Sequence, residues 1–333
     1  MIKVKTLLTS FVCCVVSLPL FAQPVHHARK SLLLMGSAFE LAATANKEEA
    51  AWRAVEEGIR EIRRIEQCIS SWDPHSQTSK VNRFAGIKPV KVDQELYELI
   101  YRAQKVAALT DGAFDISFAS MDKIWHFDGT EQSLPDSTTV ATARSKINFR
   151  HIHLNQKDTT VFLAQEGMKI GFGAIGKGYA ANRAKRIMQA VEGVQGGAVN
   201  ASGDLLAWGQ GKSERGYRVS IANPKDQGRP IAWLLVKDLA VVTSGNYEKY
   251  FTSGGKRYAH IINPQTGYPT SGVSGVTVLC PDAELADALA TSIFVMGVKR
   301  GLRLSNQLKG VECLIIDDCG EIHRSEYLKL NYY

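Results

Sequence analysis

Trp52, Val55, Ile59, Ile62, Ile65 and Ile69 recur at three- and four-residue steps with charges between them, which predicts one long amphipathic helix from about Lys47 to Ser70. Its apolar stripe reads as core packing, so the rest of the chain has to supply the surface it lies on. Leu96 to Leu109 repeats the pattern and stops at Asp111-Gly112, where glycine suits a helix C-terminus. Gly178 to Val191 reads as a third helix, and Leu285 to Asn306 as a fourth with a break at Gly297. Leu32–Leu41, Ile152–Leu154 with Val161–Leu163, Tyr217–Ile221, Trp233–Val242, Val273–Cys280 and Cys313–Ile316 are β-type runs. Helices and strands interleave without a regular βαβ alternation, so a mixed α/β fold is expected in preference to a doubly wound parallel sheet. At 333 residues and 45% apolar content the chain can bury a substantial core, and one large domain is favoured over two. There are no internal repeats. Asp128 to Ser145, polar and rich in turn and capping residues, reads as a surface excursion.

Lys3 and Lys5 precede an uncharged apolar run, Leu7 to Phe21, that closes on Ala22-Gln23-Pro24. This is the layout of a secretory signal peptide, and the run falls short of the ~20 apolar residues of a spanning helix. Leu20 is irregular, since a smaller residue is usual at the third position before the cut. The expectation is a leader over residues 1–22 and an exported domain over residues 23–333, in the periplasm or cell envelope, with inner-membrane association left open. The leader aside, Cys68, Cys280, Cys313 and Cys319 remain, too scattered for a metal cluster. Cys280 and Cys313 fall in apolar strands, so buried free thiols are favoured over one disulfide. The net charge of +7 includes the leader lysines, and the other basic residues are dispersed, as in Arg60, Arg63 and Arg64 among Glu57, Glu61 and Glu66. That reads as a solvated helix face, and no nucleic-acid partner is expected.

Three segments carry candidate chemistry. Gly171-Phe-Gly-Ala-Ile-Gly-Lys-Gly178 runs directly into a helix, a junction whose free N–H groups and positive dipole end suit a diphosphate. It nearly spells a P-loop, but Gly178 stands where Ser or Thr would bind Mg²⁺, so a P-loop ATPase is disfavoured. A tight strand-to-helix turn is the competing structural reading of the same residues. Asp287 and Thr291, four apart, share a helix face and can offer a carboxylate and a hydroxyl to one hard cation, or form an ordinary polar face. Tyr258-Ala-His-Ile-Ile-Asn-Pro-Gln-Thr-Gly267 brings His260 from a strand to a turn, where imidazole is either a general base or a packed histidine.

Together these segments resemble the bacterial FAD:protein FMN transferases, the ApbE family. The resemblance runs from Met35-Gly-Ser-Ala-Phe39 through Ser71-Trp-Asp-Pro-His-Ser76 with Asn82, Gly112-Ala-Phe-Asp115 and Gly173-Ala-Ile-Gly-Lys-Gly-Tyr179. It continues in Asn200-Ala-Ser-Gly-Asp204, Ser244-Gly-Asn-Tyr-Glu248, His260-Ile-Ile-Asn-Pro264 with Thr266-Gly267, and Ala286-Asp-Ala-Leu-Ala-Thr291. The resemblance implies one T-fold-related mixed α/β domain with antiparallel sheets and packed helices. It implies FAD contacts at Met35, Trp72, Ala113, Phe114, Asp115, Lys177, His260 and Ile261. A Mg²⁺ site is implied at Asp287, Thr291 and the carbonyl of Ala174. Catalytic parts fall to His260, Lys177 and Asp287. Trp72 offers a flat face to a flavin or adenine ring, Asp115 can accept a hydrogen bond from an exocyclic amine, and Lys177 can neutralise a phosphate. The implied reaction moves the FMN half of FAD onto a Thr or Ser hydroxyl of an acceptor, characteristically a membrane redox-complex subunit, and releases AMP. Gly171 departs from the pattern, because the family usually has an acidic residue there. The alternatives are hydrolysis of FAD to FMN and AMP, a non-catalytic flavin-binding module, and a flavin oxidoreductase, the last weakened by the lack of a nicotinamide-binding fingerprint.

Overall fold

The computed structural model describes residues 25–121, 124–209, 216–224, 229–247 and 249–332. The expected leader and Glu248 lie outside the described residues. The chain opens with β1 (His26–Leu34), β2 (Ser37–Ala45), α1 (Glu48–Ile69), α2 (Gln77–Arg83), β3 (Val90–Lys91) and α3 (Gln94–Leu109). Next come α4 (Ser137–Arg144), β4 (Ile152–Asn155), β5 (Thr160–Leu163), α5 (Gly176–Gln189), β6 (Val194–Ala201) and β7 (Asp204–Gly209). β8 (Tyr217–Ile221), β9 (Ala232–Val236), β10 (Leu239–Gly245), β11 (Tyr250–Ser253), β12 (Lys256–Ala259) and β13 (Val273–Cys280) follow. The last elements are α6 (Ala283–Gln307), β14 (Glu312–Asp317), β15 (Ile322–Arg324) and β16 (Asn331–Tyr332).

Eight strands form one antiparallel sheet in the order β1-β2-β6-β7-β10-β13-β14-β15. Period-two alternation sends the side chains of its central strands into two cores. Val199, Val278, Cys280, Cys313 and Ile315 join the larger core with α1, α5 and α6. Their neighbours Ala198, Leu279, Leu314 and Ile316 join a second core beneath the small β16-β9-β8 sheet. Both faces are therefore covered at the centre of the sheet, which is why β13 is buried along its whole length. Among the described residues no disulfide joins Cys68, Cys280, Cys313 and Cys319, and Cys280 and Cys313 are buried. Among the described residues, no helix is long and apolar enough to cross a membrane.

The mixed α/β reading and the four helices hold, and the break in α6 falls at Gly297, whose φ of 76° and ψ of 176° leave the helical region. Several details differ. The Leu32–Leu41 run is a hairpin, broken because Met35 and Gly36 both take positive φ, the conformation of a two-residue turn matched to strand twist. The Trp233–Val242 run is two strands that belong to different sheets. Trp52 sits at the edge of the α1 stripe, 41% exposed, because the buried face is centred on Ala51, Val55, Gly58 and Ile62. The basic and acidic residues of α1 are not all solvated. Arg64 donates to Glu61 (2.8 Å) and Glu95 (2.7 Å), and Arg183 of α5 donates to Glu61 (3.0 Å), so charge joins three packed helices. The polar stretch from Asp128 to Ser145 contains α4, whose Val140 and Ala143 pack with Met121, Trp125 and Phe251.

Candidate active site

The glycine-rich junction is built by its neighbours. Asn82 of α2 clamps both main-chain groups of Ile170, accepting from its N–H (2.8 Å) and donating to its carbonyl (2.9 Å). The Gly171 N–H donates to the Ile116 carbonyl (2.9 Å), and Gly176 N–H to Phe172 (2.7 Å), after which α5 begins at Gly176. Position 171 carries no acid and is crowded. A β-carbon there would lie 3.1 Å from Ala119 Cβ and 3.7 Å from Ser71 Oγ.

Gly178 explains why Ser or Thr is absent from the near-P-loop. A β-carbon on it would lie 2.1 Å from the Ala283 carbonyl oxygen, so only glycine lets the start of α5 touch the start of α6. That approach lets the Gly178 N–H donate to Oδ2 of Asp287 (3.0 Å), a residue 4% exposed. Asn182 reinforces the join, accepting from the Ala283 N–H (3.0 Å) and donating to the α6 cap Asp282 (3.0 Å). One turn beyond Asp287, Thr291 is half-buried with its hydroxyl 3.5 Å from the Ser244 hydroxyl of β10. A buried carboxylate and two hydroxyls beside the junction that contains Ala174 form an all-oxygen donor set, which fits a hard divalent cation.

Lys177 is ion-paired with Asp204, the first residue of β7, whose other carboxylate oxygen accepts the Thr243 N–H (3.1 Å). Burial pushes the Asp204 carboxyl up, against the opposing pull of the Lys177 ammonium. Asp204 and Ser244 stand in segments quoted above without a role of their own. Asp204 opens an otherwise apolar strand, a signal that could have drawn attention to it.

His260 follows β12 directly. Its N–H donates to the Lys249 carbonyl (3.0 Å), and its ring Nδ1–H donates to the same oxygen (3.2 Å), leaving Nε2 as the lone-pair nitrogen. Burial pushes its pKa down to about 4. The carbonyl contact opposes this, and the charges of Lys249 and Lys177 add to the downward push. His260 and Lys177 thus feel each other electrostatically, although they come from separate elements.

Met35, at the β1–β2 turn, lies beside the start of α5, its Cε 3.6 Å from where a β-carbon on Gly176 would stand. Trp72 is 81% exposed on the loop after α1, with its ring uncovered. Ala113, Phe114 and Asp115 turn inward behind the positive-φ pair Asp111-Gly112 that ends α3. Both oxygens of Asp115 are engaged, Oδ1 by the Ser117 N–H (2.8 Å) and hydroxyl (2.6 Å), Oδ2 by the Phe149 N–H (2.7 Å). One lone-pair direction on Oδ2 is what remains for an outside donor, and burial raises its pKa. The Ile261 side chain joins the larger core, and its carbonyl accepts the Thr270 N–H (2.8 Å). The structure thus gathers Met35, Lys177, Asp287 and Thr291 around the glycine-rich junction. It sets His260 within electrostatic reach, leaves Trp72 on the surface, and buries Ala113, Phe114, Asp115 and Ile261.

A family model described as the ApbE family matches residues 35–315. An FAD:protein FMN transferase of Treponema pallidum is 34% identical over 278 residues, which are 79% of this chain and 76% of that protein. One of Klebsiella pneumoniae is 28% identical over 304 residues, 91% of this chain and 93% of its own. The crystal structure of the ApbE protein of Thermotoga maritima superposes with a TM-score of 0.83 at 31% identity, covering 90% of this chain and 97% of that one.

Proposed function

The chain belongs to the ApbE family and is an FAD:protein FMN transferase, and from that premise we propose that it moves the FMN half of FAD onto a Thr or Ser hydroxyl of an acceptor protein. The acceptor oxygen attacks the FMN-side phosphorus, the diphosphate bond breaks, AMP leaves, and the hydroxyl proton passes to Nε2 of His260. The observation that carries this reading is the Gly178–Asp287 hydrogen bond, which sets a buried carboxylate against a glycine-rich helix start. A cation held by Asp287 would stand beside the positive end of α5, where a diphosphate would meet it.

Asp287, Thr291 and the Ala174 carbonyl would hold Mg²⁺, which when bound supplies neutralising charge at the diphosphate. Lys177 adds a second positive charge there, and Trp72 offers a ring face to the flavin or adenine. Little covalent work falls to the protein, so positioning and charge dominate. His260, neutral at pH 7 with its tautomer fixed by Lys249, is suited to accept a proton. The acceptor is proposed to be an exposed Thr- or Ser-bearing segment of a membrane redox-complex subunit, met outside the cytoplasm, in keeping with the leader-like N-terminus.

The test is incubation with FAD, Mg²⁺ and a threonine-containing acceptor protein. AMP release matched by a one-FMN mass gain on the acceptor is expected. AMP with no mass gain would make the chain an FAD hydrolase, and bound FAD without AMP would make it a carrier.

A further inference from the structure

We propose that Asp204 is a positioning residue for flavin transfer, its buried carboxylate fixing the Lys177 ammonium where it meets the diphosphate of FAD; this rests on the reading above.

Lys177 is the second residue of α5, and the first turn of that helix holds no acidic residue. The helix start carries the positive end of the dipole, which disfavours an ammonium there. Lysine also has a flexible four-carbon stem and a strongly hydrated head, so an unsupported Lys177 would swing toward water. Asp204 opposes both tendencies. It is 4% exposed, and its two oxygens divide the work: Oδ2 pairs with Lys177, while Oδ1 accepts the Thr243 N–H of β10 (3.1 Å). Thr243 is itself fixed, its hydroxyl 2.9 Å from that of Thr277 on β13. The carboxylate is therefore anchored in the middle of the eight-stranded sheet, and through it the ammonium takes its place from the hydrogen-bonded strands β7, β10 and β13.

A carboxylate is the wrong neighbour for a site selected only to bind an anion, because its charge repels the diphosphate. Its presence is explained if placement of the ammonium in the transition state matters more than ground-state affinity. A merely structural ion pair, joining α5 to β7, would act differently. Its loss would lower stability and would not act through Lys177.

The test uses the full protein with FAD, Mg²⁺ and an acceptor, alongside FAD affinity measured by quenching of flavin fluorescence. Asp204→Asn keeps an acceptor for the Thr243 N–H and removes the charge. It is expected to lower kcat by roughly 10- to 100-fold, the scale of a misplacement near 1 Å. The Kd for FAD should stay level or fall. In a Lys177→Met background the same change should cost nothing further, since it has no ammonium left to place. A loss of full size in that background, a weakened Kd with kcat retained, or a lowered melting temperature with kcat retained would each overturn the proposal. If Asp204→Asn yields no soluble protein, Asp204→Glu keeps the charge but displaces it by one methylene. A drop of roughly 10-fold in kcat at constant Kd is expected there, and an unchanged kcat overturns the proposal. The wild-type control separates this inference from its premise: wild type that attaches no FMN would sink the transfer reading, whichever way the variants compare.

Discussion

The main-chain N–H of Gly178 donates to Oδ2 of Asp287 at 3.0 Å, and this one bond joins the start of α5 to the face of α6 that carries Thr291. Charge and hydrogen bonding at Asp287 can be separated. Asp287→Asn keeps an acceptor for Gly178 and should melt close to wild type, whereas Asp287→Ala leaves a buried N–H unpaired and should cost about 1–3 kcal/mol. Both should lower the FMN transfer rate by roughly 100-fold or more, as loss of a charged metal ligand implies. Mg²⁺ titration of the rate and thermal denaturation check the two halves, and near-normal transfer at limiting Mg²⁺ would remove Asp287 from the metal site. Thr291→Val, which removes a neutral ligand, should do less harm.

Gly178→Ala tests the close approach itself. The added methyl would lie 2.1 Å from the Ala283 carbonyl oxygen, so α5 and α6 must separate. A loss of about 3 kcal/mol in denaturant unfolding is expected, with Asp287 pulled out of register. A variant as stable as wild type would show that the two helix starts are not in contact in solution.

His260 should give a pH profile unlike that of an ordinary histidine. With its pKa pushed down to about 4, the single-turnover rate of FMN attachment should run flat through pH 6.5 and fall only as pH approaches 4. The stability linkage has the same direction. The unfolded histidine takes up its proton near pH 6.5 and the folded one only near 4, so this stabilisation is complete above 6.5 and declines as pH falls toward 4. His260→Ala should lower the rate by up to ~10²-fold with little change in FAD affinity, and should abolish that part of the acid sensitivity. An unchanged rate and profile would take His260 out of the mechanism.

Trp72 is 81% exposed, so Trp72→Ala should leave the melting temperature unaltered. Stacking of an aromatic ring on a base is worth about 1–3 kcal/mol, so the Kd for FAD should rise by roughly 10-fold or more. Equal affinity in the two proteins would mean that the ring does not cover the ligand.

Export predicts a processed N-terminus. Mass spectrometry of protein recovered from the cell envelope should find the chain beginning near Gln23, and full-length protein confined to the cytoplasm would contradict it.

The helices were legible because their apolar residues repeat with the period of a helix lying on one surface, and the family because its short segments stand in order along the chain, where the spacing within any one of them left a structural alternative open. Less legible were features set by partners distant in sequence. Trp233 to Val242 reads as one apolar run, yet the turn at Lys237-Asp238 sends its halves to different sheets. Glu61 reads as solvated, but α5 brings Arg183 against it. The low pKa of His260 depends on burial that no local pattern announces. Asp204 acquires its meaning from Lys177 and Thr243, which reach it only once the sheet has closed.

Phe39 of β2 is paired with Ala201 of β6, so the second strand of the hairpin that carries Met35 waits for a partner made much later. α6, with Asp287 and Thr291, comes later still. If Met35, Asp287 and Thr291 share the centre proposed above, a chain emerging from the ribosome holds no working centre until nearly all of it has arrived. On that proposal flavin chemistry cannot start on a half-made molecule, and turnover would report that the last third of the polypeptide has docked.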